Sequence, residues 1–92
     1  MVKITRKGER AWVTFTVDGN GFESVEIKGS WNDWKAERMK RKKNGDFYIV
    51  KILPAGGTFE FGYLPAEGGW IHDETLPTSN TPFGSRNSVL NI

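Results

Sequence analysis

The chain has no cysteine, one histidine (His72), four prolines in 92 residues, and no apolar run near the roughly twenty residues that a membrane-spanning helix needs. Without cysteine there is neither a disulfide framework nor a thiolate metal site, so stability must come from apolar burial and backbone pairing. That fits a reducing compartment. The N-terminus, "MVKITRKGER", turns charged at once instead of forming a secretory apolar run, and the expected location is cytoplasmic. A single histidine argues against a histidine-rich metal site and leaves nucleophilic catalysis one base. Asp73 follows His72 directly, so on a strand the two would face opposite ways and adjacency does not make a dyad. They read as strand-end polar residues that tie a loop to a sheet. A carboxylate pair for glycoside hydrolysis stays open among Asp33, Glu37, Glu67, Asp73 and Glu74, all near loops. The reading is nonetheless a non-enzyme with no cofactor and no metal.

Charge of one sign is also missing, with 13 Lys plus Arg against 11 Asp plus Glu for a net +2. No polyanionic partner is demanded. The basic residues concentrate in "KAERMKRKK", Lys35 to Lys43, and the aromatics on either side raise a nucleic-acid track. They alternate across a hairpin and crowd its turn, however, as a solvated tip or a protected sheet edge does. Neither nucleic acid nor membrane is an expected partner.

What is present is period-two patterning in short segments, enough chain for one domain spanning 1–92. "AWVTFTV" puts Val13, Phe15 and Val17 on one face and Trp12, Thr14 and Thr16 on the other, before "DGNG" turns the chain. "SVEIKGS" repeats the pattern with Val25 and Ile27 inward. Asn44-Gly45 is expected to form a tight hairpin with positive φ at both positions, joining a strand around Met39 to "DFYIVKIL". A single helical turn over 33–42 is the alternative, but Met39 reads better as a strand residue. "DFYIVKIL" is apolar on nearly every residue except Lys51, which predicts cover on both faces. "TFEFGYL" aligns Phe59, Phe61 and Tyr63, "WIHDETLP" follows as a further strand, and "NSVLNI" places Val89 and Leu90 or Ile92 on the core. The predicted fold is an all-β antiparallel sandwich of about seven strands, with loops gathered at its two ends.

"KGSWNDWK", residues 28–35, sets Trp31 and Trp34 in a segment of turn formers, which belongs at the surface. A flat exposed indole flanked by amides and hydroxyls suits the C–H face of a pyranose. Trp34 lies beside Asn32 and Asp33, Trp70 follows a double glycine, and "TPFGSRNS" adds Phe83, Ser85, Arg86 and Asn87. Packing among these rings is the competing reading.

Three ordered motifs then resemble carbohydrate-binding module family 48, over residues 28–92. They are Gly29-Ser30-Trp31-Asn32-Asp33-Trp34; Phe61-Gly62-Tyr63 followed by Gly68-Gly69-Trp70-Ile71-His72-Asp73 and Pro77; and Phe83-Gly84-Ser85-Arg86-Asn87. The family includes the glycogen-binding domain of AMP-activated protein kinase β subunits and the N-terminal domains of isoamylases and branching enzymes. The resemblance implies an immunoglobulin-like early-set sandwich that binds α-glucan (glycogen, starch or maltooligosaccharide) without catalysis. Carried over by position, Trp34 and Trp70 are the platforms, Phe83 is an inserted apolar group, and Asn87, Ser85 and Asn32 are hydrogen-bonding residues, while Trp31 turns inward. Three departures stand out. Gly62 occupies the family's sugar-contacting lysine position, the "LPAEGGW" turn has one extra residue, and Glu74 replaces a frequent proline. The alternative function is a scaffold domain of the same fold that packs on a glucan-active enzyme or kinase subunit in trans. Self-association through the sandwich edges is also open.

Overall fold

Alternation decides which face of each strand is buried. The computed structural model describes all residues, 1–92, and in β2 (Arg10–Val17) the side chains of Ala11, Val13, Phe15 and Val17 are buried while the intervening ones are not. The same holds for Val25 and Ile27 of β3 (Val25–Gly29) and for Phe61 and Tyr63 of β7 (Thr58–Pro65). β1 is Val2–Lys7, β4 Glu37–Arg38, β5 Lys40–Arg41, β6 Phe47–Pro54, β8 Thr78–Asn80 and β9 Arg86–Asn91. A four-stranded sheet in the order β1-β2-β6-β5 faces a five-stranded one in the order β4-β3-β7-β9-β8, and every pairing is antiparallel. The expected all-β sandwich is what forms.

The rings of Phe15 and Phe61 meet edge to face at 4.9 Å, one from each sheet, and Tyr63 continues the stack at 5.5 Å from Phe61. Such contacts add roughly 0.5–1.5 kcal/mol each to the burial itself. Met39 marks where the chain crosses between sheets. Its side chain is buried and its N–H donates to the Val25 carbonyl at 2.9 Å, with β4 on one side of it and β5 on the other.

Five local expectations are corrected. The strand around Met39 is two short strands in different sheets, not one. In the hairpin after it, only Gly45 has positive φ (+93°), and Lys42 N–H meets the Asp46 carbonyl while Gly45 N–H meets that of Lys42. That is a three-residue loop closed by a left-handed glycine, so Asn44 stays out of the left-handed region. β6 is covered on one face alone: Val50 and Ile52 are exposed. The segment Trp70–Pro77 is a loop whose one β-bridge to the sheet is Tyr63–Ile71. In β9 the core positions are Ser88 and Leu90, while Val89 pairs with Glu60 on the outer face, because alternation cannot bury neighbours together. β1 is a strand that the sequence pattern did not single out.

Truncating Phe61 to Ala should cost about 3–5 kcal/mol in denaturant unfolding, whereas Val50→Thr should stay within about 0.5 kcal/mol. A cost below about 1 kcal/mol for Phe61→Ala would contradict its place between the sheets.

Candidate functional site

Beyond Gly29 the chain makes one 3-10 turn, Ser30–Asn32, and the Trp31 indole folds back over Gly29. A Cβ on Gly29 would overlap that ring, so only glycine fits there. Trp31 reaches the core, with ring centroids 5.3 Å from Phe15, 6.0 Å from Phe61 and 6.3 Å from Phe59. It is the inward ring of the pair. Asp33 (φ 59°) and Trp34 (φ 64°) then both adopt the left-handed conformation, which costs an L-residue roughly 1–2 kcal/mol. Trp34 N–H closes the turn on the Gly29 carbonyl at 3.0 Å, and its side chain is 38% exposed.

Asn32 spends both ends of its amide holding this loop. Its Oδ1 accepts from Lys35 N–H at 3.2 Å, and its Nδ2 donates to Glu37 Oε1 at 2.9 Å and to the Lys35 carbonyl at 3.3 Å. Glu37 in turn receives the Lys51 ammonium, with Nζ 2.8 and 2.7 Å from its two oxygens. Lys51 belongs to β6, so this chain of bonds fastens the Trp34 loop to the opposite sheet.

Trp70 is positioned by a second glycine. Its six-membered ring lies on Gly62, where a Cβ would overlap it, and its Nε1 donates to the Arg86 carbonyl at 2.9 Å. Gly68 and Gly69, with φ of +93° and +91°, deliver the chain to this position. Gly62 is an outward position of β7, between inward Phe61 and Tyr63, so Trp70 lies on the outer surface of the five-stranded sheet. Neither Trp34 nor Trp70 belongs to the core or to the partly buried residues packed on it. The two are anchored close in register, since Gly29 pairs with Phe61 and Lys28 with Gly62.

Asn87 of β9 pairs with Ser79, and its Nδ2 donates to Glu60 Oε1 at 3.3 Å. Phe83 stands 93% exposed at the tip of the β8–β9 loop. Thr81 shapes that loop: its Oγ1 accepts from Phe83 and Ser85 N–H and lies 2.7 Å from Ser85 Oγ. Ser85 thus has its hydroxyl engaged within the loop. Lys28, Glu60 and the Arg86 carbonyl also flank or hold these side chains. Alternation along "SVEIKGS" carried the signal for Lys28; nothing in the sequence marked the other two.

His72 and Asp73 lie in a loop, not on the opposite faces of a strand, and both line one recess. Asp73 is buried, its N–H donates to Ser88 Oγ at 2.6 Å, and its Oδ1 accepts from Thr75 N–H and Oγ1 at 2.9 and 2.6 Å. Its Oδ2 pairs with the Met1 ammonium at 2.9 Å. Burial pushes this carboxyl up, yet the Thr75 hydroxyl, the Met1 ammonium and the Thr75 N–H together outweigh it and hold the carboxyl below the usual range. Burial, with the Asp73 charge added, pushes the Tyr63 phenol far above its ordinary value. An open recess of about 640 Å³ surrounds these groups, but none of Trp34, Trp70, Phe83 or Asn87 lines it. Trp34 and Phe83 are exposed and Trp70 is half-buried, outside that recess. No group of three or more His, Asp or Glu side chains is arranged to hold a metal ion.

The model of the family described as the glycogen recognition site of AMP-activated protein kinase matches residues 11–92. The chain is 29% identical over 73 residues to the SNF1-related protein kinase regulatory subunit beta-2 of Arabidopsis thaliana, covering 79% of this chain and 25% of that one. It is 28% identical over 72 residues to the human 5'-AMP-activated protein kinase subunit beta-2, covering 78% and 26%. The chain thus spans about a quarter of the length of these relatives. In fold it is similar to part of the enterobactin esterase FES of Shigella flexneri, with a TM-score of 0.81 at 16% identity over 99% of this chain and 32% of that one.

Two outcomes are expected from this geometry. Gly62→Ala should lift the Trp70 indole, break its bond to Arg86 and shift tryptophan emission to the red; an unchanged spectrum would contradict the ring's seat. Asp73 has a depressed folded-state value, so its contribution to stability is present above the unfolded carboxylate value of about 3.9 and is lost as pH falls through the lower folded one. The gap in melting temperature between wild type and Asp73→Asn should therefore close between pH 7 and strongly acid pH, and a constant gap would rule this out.

Proposed function

The chain belongs to the family of the glycogen recognition site of AMP-activated protein kinase, and we propose that it binds α-glucan on a shallow platform formed by Trp34 and Trp70. The observation that supports this most is that both indoles are held outside the core, Trp34 by a left-handed turn and Trp70 by its seat on Gly62. Each ring offers an apolar face to the C–H side of a glucose unit, and linked units bridge from one ring to the next.

Asn87 supplies an amide at the rim and Phe83 an apolar group from the projecting loop. Asn32 and Ser85 act one step back, fixing the loops that carry Trp34 and Phe83. Gly62 cannot bear a side chain beneath Trp70. Lys28, directly across β3 from it, supplies the cationic donor to sugar hydroxyls in this proposal. The role is binding without catalysis. Attachment to a kinase subunit, which the names of the relatives support, belongs to the same proposal, as do the alternative of a glucan-active enzyme and a cytoplasmic location. So open a surface points to a Kd between about 1 mM and 1 μM for a short maltooligosaccharide.

Titration with maltoheptaose followed by tryptophan fluorescence, together with retardation in glycogen-containing gels, tests the reading. Trp34→Ala and Trp70→Ala should each weaken retention at least tenfold, equivalent to about 1.4 kcal/mol, while leaving a cooperative melt. Wild-type retention in both variants, or no fluorescence response at millimolar ligand, would reject it. A collapse of the melt instead would make the rings structural.

A further inference from the structure

The outer face of the four-stranded sheet, remote from the tryptophan platform, carries apolar side chains that nothing covers. Val50 and Ile52 of β6 are 48% and 53% exposed and Trp12 of β2 is 36% exposed. Register places Trp12 opposite Ile52 and Thr14 opposite Val50, so the three apolar side chains form one continuous strip. A strand apolar on both faces is the pattern of a sheet covered on both sides, and contiguous exposed apolar surface marks an interaction site.

The charged residues at outward strand positions around the strip have one sign, with Glu9 in the β1–β2 turn beyond them. Lys3 and Lys7 of β1, Arg10 of β2 and Lys40 of β5 occupy outward positions of the same sheet. Lys42 Nζ sits 5.7 Å from the centre of the Tyr48 ring, and Lys7 Nζ 5.8 Å from that of Trp12. No outward strand residue on this face is acidic. In a chain of net charge only +2 that is strong segregation, and the other sheet's outer face mixes Glu26, Lys28 and Glu60.

We propose that this face docks a protein segment whose apolar residues lie on Trp12, Val50 and Ile52 and whose carboxylates pair with the surrounding lysines and arginine. Charge complementarity selects such a partner and speeds its encounter. A second copy would bring two like-charged rims together. Nucleic acid would need bare ring faces, but cations already lie over Trp12 and Tyr48, with β-branched side chains between them. A lipid surface takes up protruding groups, whereas these residues lie flush on a pleated sheet. In the compared chains the matched region makes up 25%, 26% and 32% of the whole, so the fold recurs as one part of a larger protein body. Glucan and partner would occupy opposite faces and do not compete.

The test places photoreactive p-benzoylphenylalanine at position 50 of the full chain, in the cells that make it, with position 66 in the β7 turn as control. Expected is an adduct with another polypeptide whose crosslinked peptide joins apolar residues to Asp or Glu. Its yield should fall at least tenfold in Lys7→Glu/Lys40→Glu and persist in Lys7→Arg/Lys40→Arg. Glucan retention and the melt should be unchanged in both variants, which separates failure here from failure of the sugar reading. No adduct beyond the control, an adduct with lipid, RNA or a second copy, or a yield indifferent to charge reversal would each overturn the proposal.

Discussion

The placement of the tryptophans depends on two glycines that give up the space of a side chain to an indole ring. Gly29 and Gly62 are both buried strand residues, and a Cβ on either would collide with Trp31 or Trp70 respectively. What differs is the face. Gly29 continues the inward alternation of Val25 and Ile27, so the ring it admits is drawn into the core beside Phe15 and Phe61. Gly62 lies between inward Phe61 and Tyr63 and therefore points outward, so the ring it admits stays on the surface. One substitution pattern thus yields an anchor in one case and a platform in the other.

The anchor makes the left-handed backbone at Asp33 and Trp34 tenable. With Trp31 locked inward, the chain must reverse within a few residues to reach β4, and the strain falls on the pair that follows. Asn32, Glu37 and Lys51 oppose that strain with a connected set of hydrogen bonds. Glu37 and Lys51 are only partly buried, 28% and 22% exposed, so the ion pair itself contributes modestly, within the range of about 0–1 kcal/mol typical near a surface. Its larger effect is geometric. It fixes where the Trp34 loop stands relative to β6.

Strands with alternation were legible from sequence: in β2, β3 and β7 apolar residues recur at every second position, with only Trp12 and Leu64 adding large apolar side chains to the outward set. β6 misled because its outward residues are also apolar, and a sequence cannot say whether such a face is covered within the chain. β1 lacked the signal, its inward Val2 and Ile4 being only two apolar residues, half-buried, before the charged run that ends the strand. Trp70–Pro77 has strand-like composition, but Trp70 is committed to Gly62 and Asp73 to Ser88, which leaves the backbone one bridge and no ladder. The inward turn of Trp31 followed from the family motif. The commitments of Asn32 and Ser85 to their own loops did not, because hydrogen-bond partners a few residues away compete with any ligand and only coordinates show which is taken.

The same position that misled also joins the two outer faces. Lys51 stands between Val50 and Ile52 in β6, and its inward ammonium reaches Glu37, which holds Asn32 and through it the turn carrying Trp34. A strand that bore only polar outward residues would support the same core, so core packing does not explain the exposed strip. Nor does core packing explain an indole held in a left-handed turn. Both features leave apolar area in water in a protein whose core comprises 12 buried hydrophobic residues, a cost of roughly 25 cal/mol for each Å² left uncovered. Under the two proposals they are two recognition surfaces on one sandwich, with the Lys51–Glu37–Asn32 connection joining the strand that carries the strip to the turn that carries Trp34.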